Sequence, residues 1–259
     1  MVFVIFSNTP SGGSQPLTLY DLSSKTNGLA DFRNDDEFDE KFYDNSPFSL
    51  CGSVVVILSK RNPNENNISN LVAKIRSHHG MVHVISSNTP SGGSQPLTLY
   101  DLSFKTNGLA DFRNDDQFND SQIRFFGLFW PVAIYSVNPV VSGKGSIVLP
   151  SLFHTKPNGT FFAGVDFAVT VQNHGPIDTF QSFYLSWYNA SSSTNGGFYG
   201  YPGSPSNEKN STIRAGYGNL DAAIYNMKLE YSYSDNTPIK LQIRQYAAID
   251  IDYWPPYAD

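Results

Sequence analysis

Residues 1–36 recur almost unchanged as residues 81–116, and this duplication limits the fold more than any other feature of the chain. Three positions differ: Phe3 against His83, Phe6 against Ser86, and Ser24 against Phe104. The period is longer than a solenoid repeat and there are only two copies, which excludes a stacked array. What precedes the second copy is missing before the first, so the first copy is an orphan. It reflects a recent duplication or a gene model that joins pieces of two neighbouring copies. The acidic stretch Glu37–Asn45 between them reads as a solvated linker.

Around the second copy the hydrophobic pattern is explicit. Ser53–Leu58 is a short β-branched run, as expected of a strand buried on both faces of a parallel sheet. A helix follows, with Asn66 or Asn67 as N-cap and one apolar stripe at Ile68, Leu71, Val72 and Ile75. His78 and His79 close it, and Gly80 is suited to the left-handed position beyond its end. Met81–Ile85 is the next strand, which completes a βαβ unit. A polar loop, Thr89–Ser94, leads to a second helix opened by Ser94 or Gln95 and ended by Asn107-Gly108. Leu109–Phe112 is the last strand of this region. Val54–Leu58 lacks a neighbour on one side, and an apolar edge invites another strand. Val2–Phe6 is expected there, with Leu17–Ser24 helical beside it.

The order Val54–Leu58, Ile68–Ser77, Val82–Ile85 and Lys105-Thr-Asn-Gly-Leu109 resembles the C-terminal half of a von Willebrand factor A-type domain. The stretch is similar to modules of a nematode family of uncharacterised proteins, in which such a module precedes a β-rich, CUB-like domain. The resemblance implies a partial doubly wound α/β domain over residues 48–122, with residues 1–47 as an orphan strand-helix segment and linker. It also implies an extracellular recognition role. The A-type metal site does not carry over. No D-x-S-x-S pentad is present, and Ser59-Lys60-Arg61 stands where the family has a T-D-G step. An ammonium in place of a carboxylate opposes a divalent cation, which needs several oxygen ligands. No metal and no cofactor is expected.

Beyond residue 122 the pattern changes to aromatic and β-branched runs: 125–135, 145–149, 160–172, 181–187, 211–217, 222–232 and 239–246. Turn residues separate them, and Val165, Phe167, Val169 and Val171 alternate on one face. Residues 123–259 therefore read as an antiparallel β-sandwich, with a CUB-like ending from Lys240 to Tyr257. The run Asn195–Ser206 reads as a flexible loop whose Phe198, Tyr199 and Tyr201 form a candidate surface for a glycan or protein partner.

Composition closes off several functions. A net charge of −6 and a pI near 5.3 exclude a nucleic-acid footprint. No apolar run approaches the ~18 residues of a membrane span. Met1–Phe6 lacks a basic flank and is shorter than a secretory core of roughly 7–15 residues, so no signal peptide is expected. The N-x-S/T triplets at Asn67, Asn119, Asn158, Asn189 and Asn210 are candidate glycosylation sites, in keeping with a secreted family. The single cysteine, Cys51, reads as a small apolar residue. No nucleophile elbow, zinc-protease helix or phosphate loop is present. Asp250 and Asp252 share a face near the end and suit a solvated edge. The expected function is non-enzymatic recognition. A degraded or misassembled family member and a hydrolase built from the C-terminal histidines and aspartates stand as alternatives. Oligomeric state is not encoded in any pattern.

Overall fold

A computed structural model describes residues 2–7, 30–33, 51–121, 132–154, 164–175, 177–189, 191, 195–202, 211–247 and 254–258. The chain divides into two compact units, residues 1–128 and 129–258.

The first unit is built on a five-stranded, all-parallel sheet. Its strands are β1 (Val2–Ser7), β2 (Ala30–Arg33), β3 (Val54–Ser59), β4 (Met81–Ser87) and β5 (Ala110–Arg113), in the spatial order β2-β1-β3-β4-β5. Every residue of β3 and β4 is buried, which is why both are continuous apolar runs with no alternation. The strand expected on the open edge of β3 is there: β1 pairs with it from Val2↔Val54 to Ser7↔Ser59. The helix expected at Leu17–Ser24 lies outside the described residues. The duplicated sequences pair identically, Val4↔Ala30 in one copy and Val84↔Ala110 in the other. β3 thus carries one copy on each edge.

Helix α1 (Ser69–Ser77) buries Val72 and Ile75 against the sheet, and α2 (Thr98–Lys105) buries Tyr100, Leu102 and Phe104. The N-cap of α1 is Ile68 and not the expected Asn66 or Asn67; from the position before it, Asn67 Oδ1 accepts the Ser69 N–H at 3.3 Å. The left-handed residue past its end is His79 (φ +52), not Gly80. The Gly80 N–H then reaches the Ile75 carbonyl and the His79 N–H the Arg76 carbonyl, a Schellman closure. Asn107 (φ +57) does the same for α2, with the Gly108 N–H on the Ser103 carbonyl.

The second unit has two four-stranded antiparallel sheets. One has the order β11-β10-β13-β8, from β8 (Lys144–His154), β10 (Phe180–Tyr188), β11 (Asn195–Gly200) and β13 (Ala223–Tyr233). The other has the order β12-β9-β15-β6, from β6 (Val132–Val137), β9 (Gly164–Thr170), β12 (Thr212–Asn219) and β15 (Ile243–Ala247). β7 (Val140–Val141) and β14 (Ile239–Lys240) form a short accessory pair. Both sheets feed one core, where Phe167 stacks on Trp187 at 4.6 Å between ring centroids, with Leu185, Leu229 and Ile243 around them. The edge strand β8 is broken by a bulge opposite Tyr225–Met227, at Pro150-Ser151, which blunts it against further pairing.

These observations correct the expected fold class. The chain is β-rich, with two α-helices among the described residues, and it is not a doubly wound α/β module of von Willebrand A type. The βαβ reading around β3, α1 and β4 is local. A doubly wound module needs helices on both faces of its sheet. Among the described residues α-helix is confined to α1 and α2, on the stripes Ile68–Ile75 and Leu97–Phe104, while the apolar residues of the second unit largely alternate with period two.

One core position breaks the apolar pattern. Gln245 lies in register with Phe167 on one side and Tyr135 on the other, is fully buried, and neither polar atom of its amide has a hydrogen-bond partner among the described residues. Leaving such a group unsatisfied costs about 1–3 kcal/mol. Gln245→Leu is therefore expected to raise stability by about 1–2 kcal/mol in equilibrium urea unfolding. A lower midpoint would show that the amide is satisfied in solution.

Candidate recognition face

The segment expected to be a flexible loop is a strand. β11 pairs with β10 from Phe183↔Gly200 to Tyr188↔Asn195 and forms one edge of its sheet. Its glycines make room for aromatic rings on both faces. A Cβ on Gly196 would lie 2.5 Å from the Trp187 indole on the core side, and one on Gly197 would lie 2.6 Å from the Tyr184 hydroxyl on the outer side. Gly200 likewise yields to Phe183, with 2.2 Å to a would-be Cβ. Aromatic rings laid over cross-strand glycines hold an edge strand that glycine would otherwise weaken.

The period-two geometry then sorts the three candidate aromatics. Phe198 turns inward, is buried, and meets Phe183 edge-to-face at 5.2 Å. It is a core residue and not part of a contact surface. Tyr199 turns outward and is 68% exposed, with its ring stacked on Tyr184 at 4.1 Å and 19°. Tyr201 follows, half exposed, just beyond the strand.

Sequence reading missed the rest of this face, which comes from β10, β13 and β8. Tyr184 pairs with Glu230, Ser186 with Lys228, and Tyr188 with Asn226. Lys228 Nζ sits 2.7 Å from Glu230 Oε1, both about half exposed. Lys228 is in turn opposite Val148, and Ile224 is opposite Phe153; Val148, Phe153 and Ile224 are all exposed. The surface therefore has a tyrosine edge, a charged and hydroxylic centre, and an apolar far side. Period-two alternation in 181–188 and 223–233 was the signal that would have located it.

The other candidates are distributed differently. Asn67 is exposed, whereas Asn189 is 3% exposed with its Oδ1 accepting the Ser191 N–H at 2.9 Å, a position with no room for a glycan. Asn119 lies in a 3₁₀ turn, Asp115–Asp120, and Asn158 and Asn210 are outside the described residues, as are Asp250 and Asp252. Cys51 is exposed, contrary to the apolar role expected of it, because it precedes the buried strand instead of joining it. His83 is buried and its Nδ1 accepts the Leu109 N–H at 3.1 Å. His154 Nδ1 lies 3.3 Å from the Asp221 carbonyl oxygen. His174 Nε2 and Asp178 Oδ2 are 3.4 Å apart on an exposed turn.

At the carboxyl end of the parallel sheet, Lys60 Nζ lies 2.5 Å from Asp115 Oδ2, and Ser87 Oγ donates to Asp115 Oδ1 at 2.6 Å. Burial pushes the Asp115 carboxyl pKa up, but the hydrogen bonds from Lys60 and Ser87 and the charge of Lys60 outweigh it, so the group titrates below its usual value. Among the described residues no three His, Cys, Asp or Glu side chains converge as a metal site, and no helix is long and apolar enough to cross a membrane.

A family described as Domain of unknown function (DUF7154) matches residues 137–248, inside the second unit. No curated protein matches the chain. Among solved structures, CapF with the inhibitor 3-isopropenyl-tropolone aligns at a TM-score of 0.27 and 7% identity, over 96% of this chain and 97% of that one. Capsular polysaccharide assembling protein CapF from Staphylococcus aureus aligns at 0.24 and 8%, over 97% of each chain. The enzymatically active domain of tailspike protein 4 of Bacteriophage CBA120 aligns at 0.25 and 8%, over 95% of this chain and 37% of that one. Superpositions this loose carry no argument about fold or function. The chain is thus similar over its second unit to a family without an assigned role.

Proposed function

We propose that this chain is a non-enzymatic recognition protein of extracellular type, and that the outer face of the β11-β10-β13-β8 sheet binds a glycan. The observation that carries the reading is Tyr199, an aromatic ring 68% exposed yet fixed by strand pairing and by stacking on Tyr184. One face of the ring is spent on Tyr184. The other offers apolar contact to the C–H face of a sugar ring at low entropic cost, because a tyrosine on a strand has little freedom to lose. Ser186, Lys228 and Glu230 on the adjoining strands supply donors and acceptors for hydroxyl groups. The histidines support a binding reading over a catalytic one: His83 serves the backbone, and the His174–Asp178 pair lies on an exposed turn.

A glycan array probed with the full chain tests this. Tyr199→Ala is expected to weaken binding by about tenfold or more, as loss of a central aromatic anchor does, while the lost stacking on Tyr184 lowers stability by only about 1 kcal/mol and leaves the chain folded. Absence of any glycan signal, or equal binding by the variant, overturns the assignment. Capture of a protein ligand that depends on Tyr199 would overturn the glycan class while leaving the face in place.

A further inference from the structure

Beyond the carboxyl ends of the parallel strands of the first unit, two loops are zipped together. The Ser91 N–H donates to the Lys60 carbonyl at 2.8 Å, the Asn62 N–H to the Gly92 carbonyl at 3.0 Å, and the Gln95 N–H to the Pro63 carbonyl at 2.9 Å. Gly93 is required there, since its φ is +87 and a Cβ would lie 1.8 Å from the Asn62 carbonyl oxygen. Gly92 lies against the guanidinium of Arg61, with 3.7 Å between a would-be Cβ and Arg61 Nε.

Several donors in this corner have no protein acceptor among the described residues. Arg61 Nε is shut off from solvent, and among the described residues it has no hydrogen-bond partner and the guanidinium forms no ion pair. The N–H groups of Gly92, Gly93 and Ser94 donate to no protein acceptor among the described residues. The nearby carboxylate, Asp115, is already engaged by Lys60 and Ser87. A desolvated guanidinium N–H without an acceptor is costly, and a bound anion removes that cost.

We propose that this corner binds a tetrahedral oxyanion, a phosphate or sulfate group, on Arg61 and the Gly92–Ser94 backbone. An arginine fork accepts two coplanar oxygens from a carboxylate or a phosphate alike, but backbone amides added to it call for a further oxygen out of that plane, which a tetrahedral anion has and a carboxylate lacks. The position agrees with the general placement of ligands outside the carboxyl ends of strands in open parallel sheets. The site is independent of the tyrosine face of the second unit.

The test is an amide-resolved NMR titration of the full chain with inorganic phosphate at constant ionic strength, with parallel arms in sulfate, acetate and chloride. Saturable shifts of Gly92, Gly93 and Ser94 are expected with phosphate or sulfate, and the two arms decide between them. Arg61→Gln is expected to weaken binding at least tenfold, and Arg61→Lys to weaken it less, since the charge stays and the fork is lost. Equal shifts with chloride mean an adventitious ion only and overturn the site. Acetate binding as tightly as phosphate overturns the tetrahedral class. Should Arg61→Gln alter the spectrum throughout the unit, Arg61→Lys carries the test, and wild-type affinity in that variant overturns the role of the fork.

Discussion

Gly108→Ala is expected to unfold the first unit. A Cβ at this position would lie 1.7 Å from the Val82 carbonyl oxygen and 2.5 Å from its carbon, both main-chain atoms of β4. A flexible side chain in the way would rotate aside, but β4 is held between β3 and β5 and cannot retreat. The loop cannot retreat either. The Val82 N–H donates to Thr106 Oγ1 at 3.2 Å, the Leu109 N–H to His83 Nδ1 at 3.1 Å, and the Val84 N–H to the Leu109 carbonyl at 2.8 Å. Relieving the overlap means giving up these bonds together with the seating of α2 on the sheet. The expected loss exceeds about 4 kcal/mol, a large part of the ~5–15 kcal/mol that stabilises an ordinary domain. Urea unfolding of the full chain, followed by amide signals of β3 and β4, checks it. A variant with the wild-type midpoint would show that the loop does not pass this close to β4.

Arg214→Met is expected to be nearly as costly to the second unit, for an electrostatic reason. Asp166 is buried on β9, and Arg214 on the neighbouring strand β12 grips it through Nε at 2.8 Å and Nη2 at 3.1 Å. Gly216, in register with Asp166, leaves room for the fork: a Cβ there would already stand 3.0 Å from the carboxylate. Methionine retains most of the side-chain volume and removes the fork, so a buried carboxylate loses its cation. Breaking a buried pair from one side costs about 3–5 kcal/mol. Replacing both partners at once, Asp166→Leu with Arg214→Met, is expected to cost much less, since no stranded charge remains. Equal losses in the single and double variants would assign the effect to packing and not to charge.

How far these elements were legible depends on whether their cause is local. β3, α1, β4 and α2 were readable because burial on two faces produces unbroken apolar runs and burial on one helix face produces a stripe. The place of β1 followed from the duplication and an unpaired apolar edge, and the pairing Val2↔Val54 is there. β11 was unreadable as a strand because glycine is a poor strand former by itself. Its glycines are tolerated only because Trp187 and Tyr184 from the adjacent strand cover them. The resemblance to an A-type half-domain was misleading for a related reason. A correct local order of strand, helix and strand was extended to a whole module, whereas α-helix among the described residues stops at α1 and α2 and the second unit is built of antiparallel strands. Of the three aromatics singled out, Tyr199 and Tyr201 lie outward, and Phe198 was misplaced because a loop has no inside and a strand does.

The amino-acid sequence by itself determined the duplicated strand pairs, the two helices, the acidic character and the absence of familiar catalytic motifs, since each is written in residues that are neighbours along the chain. Tertiary structure alone decided that Tyr184 and Tyr199 stack, that Lys60 is held by Asp115, and that Arg61 Nε and the Gln245 amide have no hydrogen-bond partner among the described residues. Each of those depends on residues far apart in sequence meeting at a few ångströms, and pairing register and packing are set by the whole sheet at once.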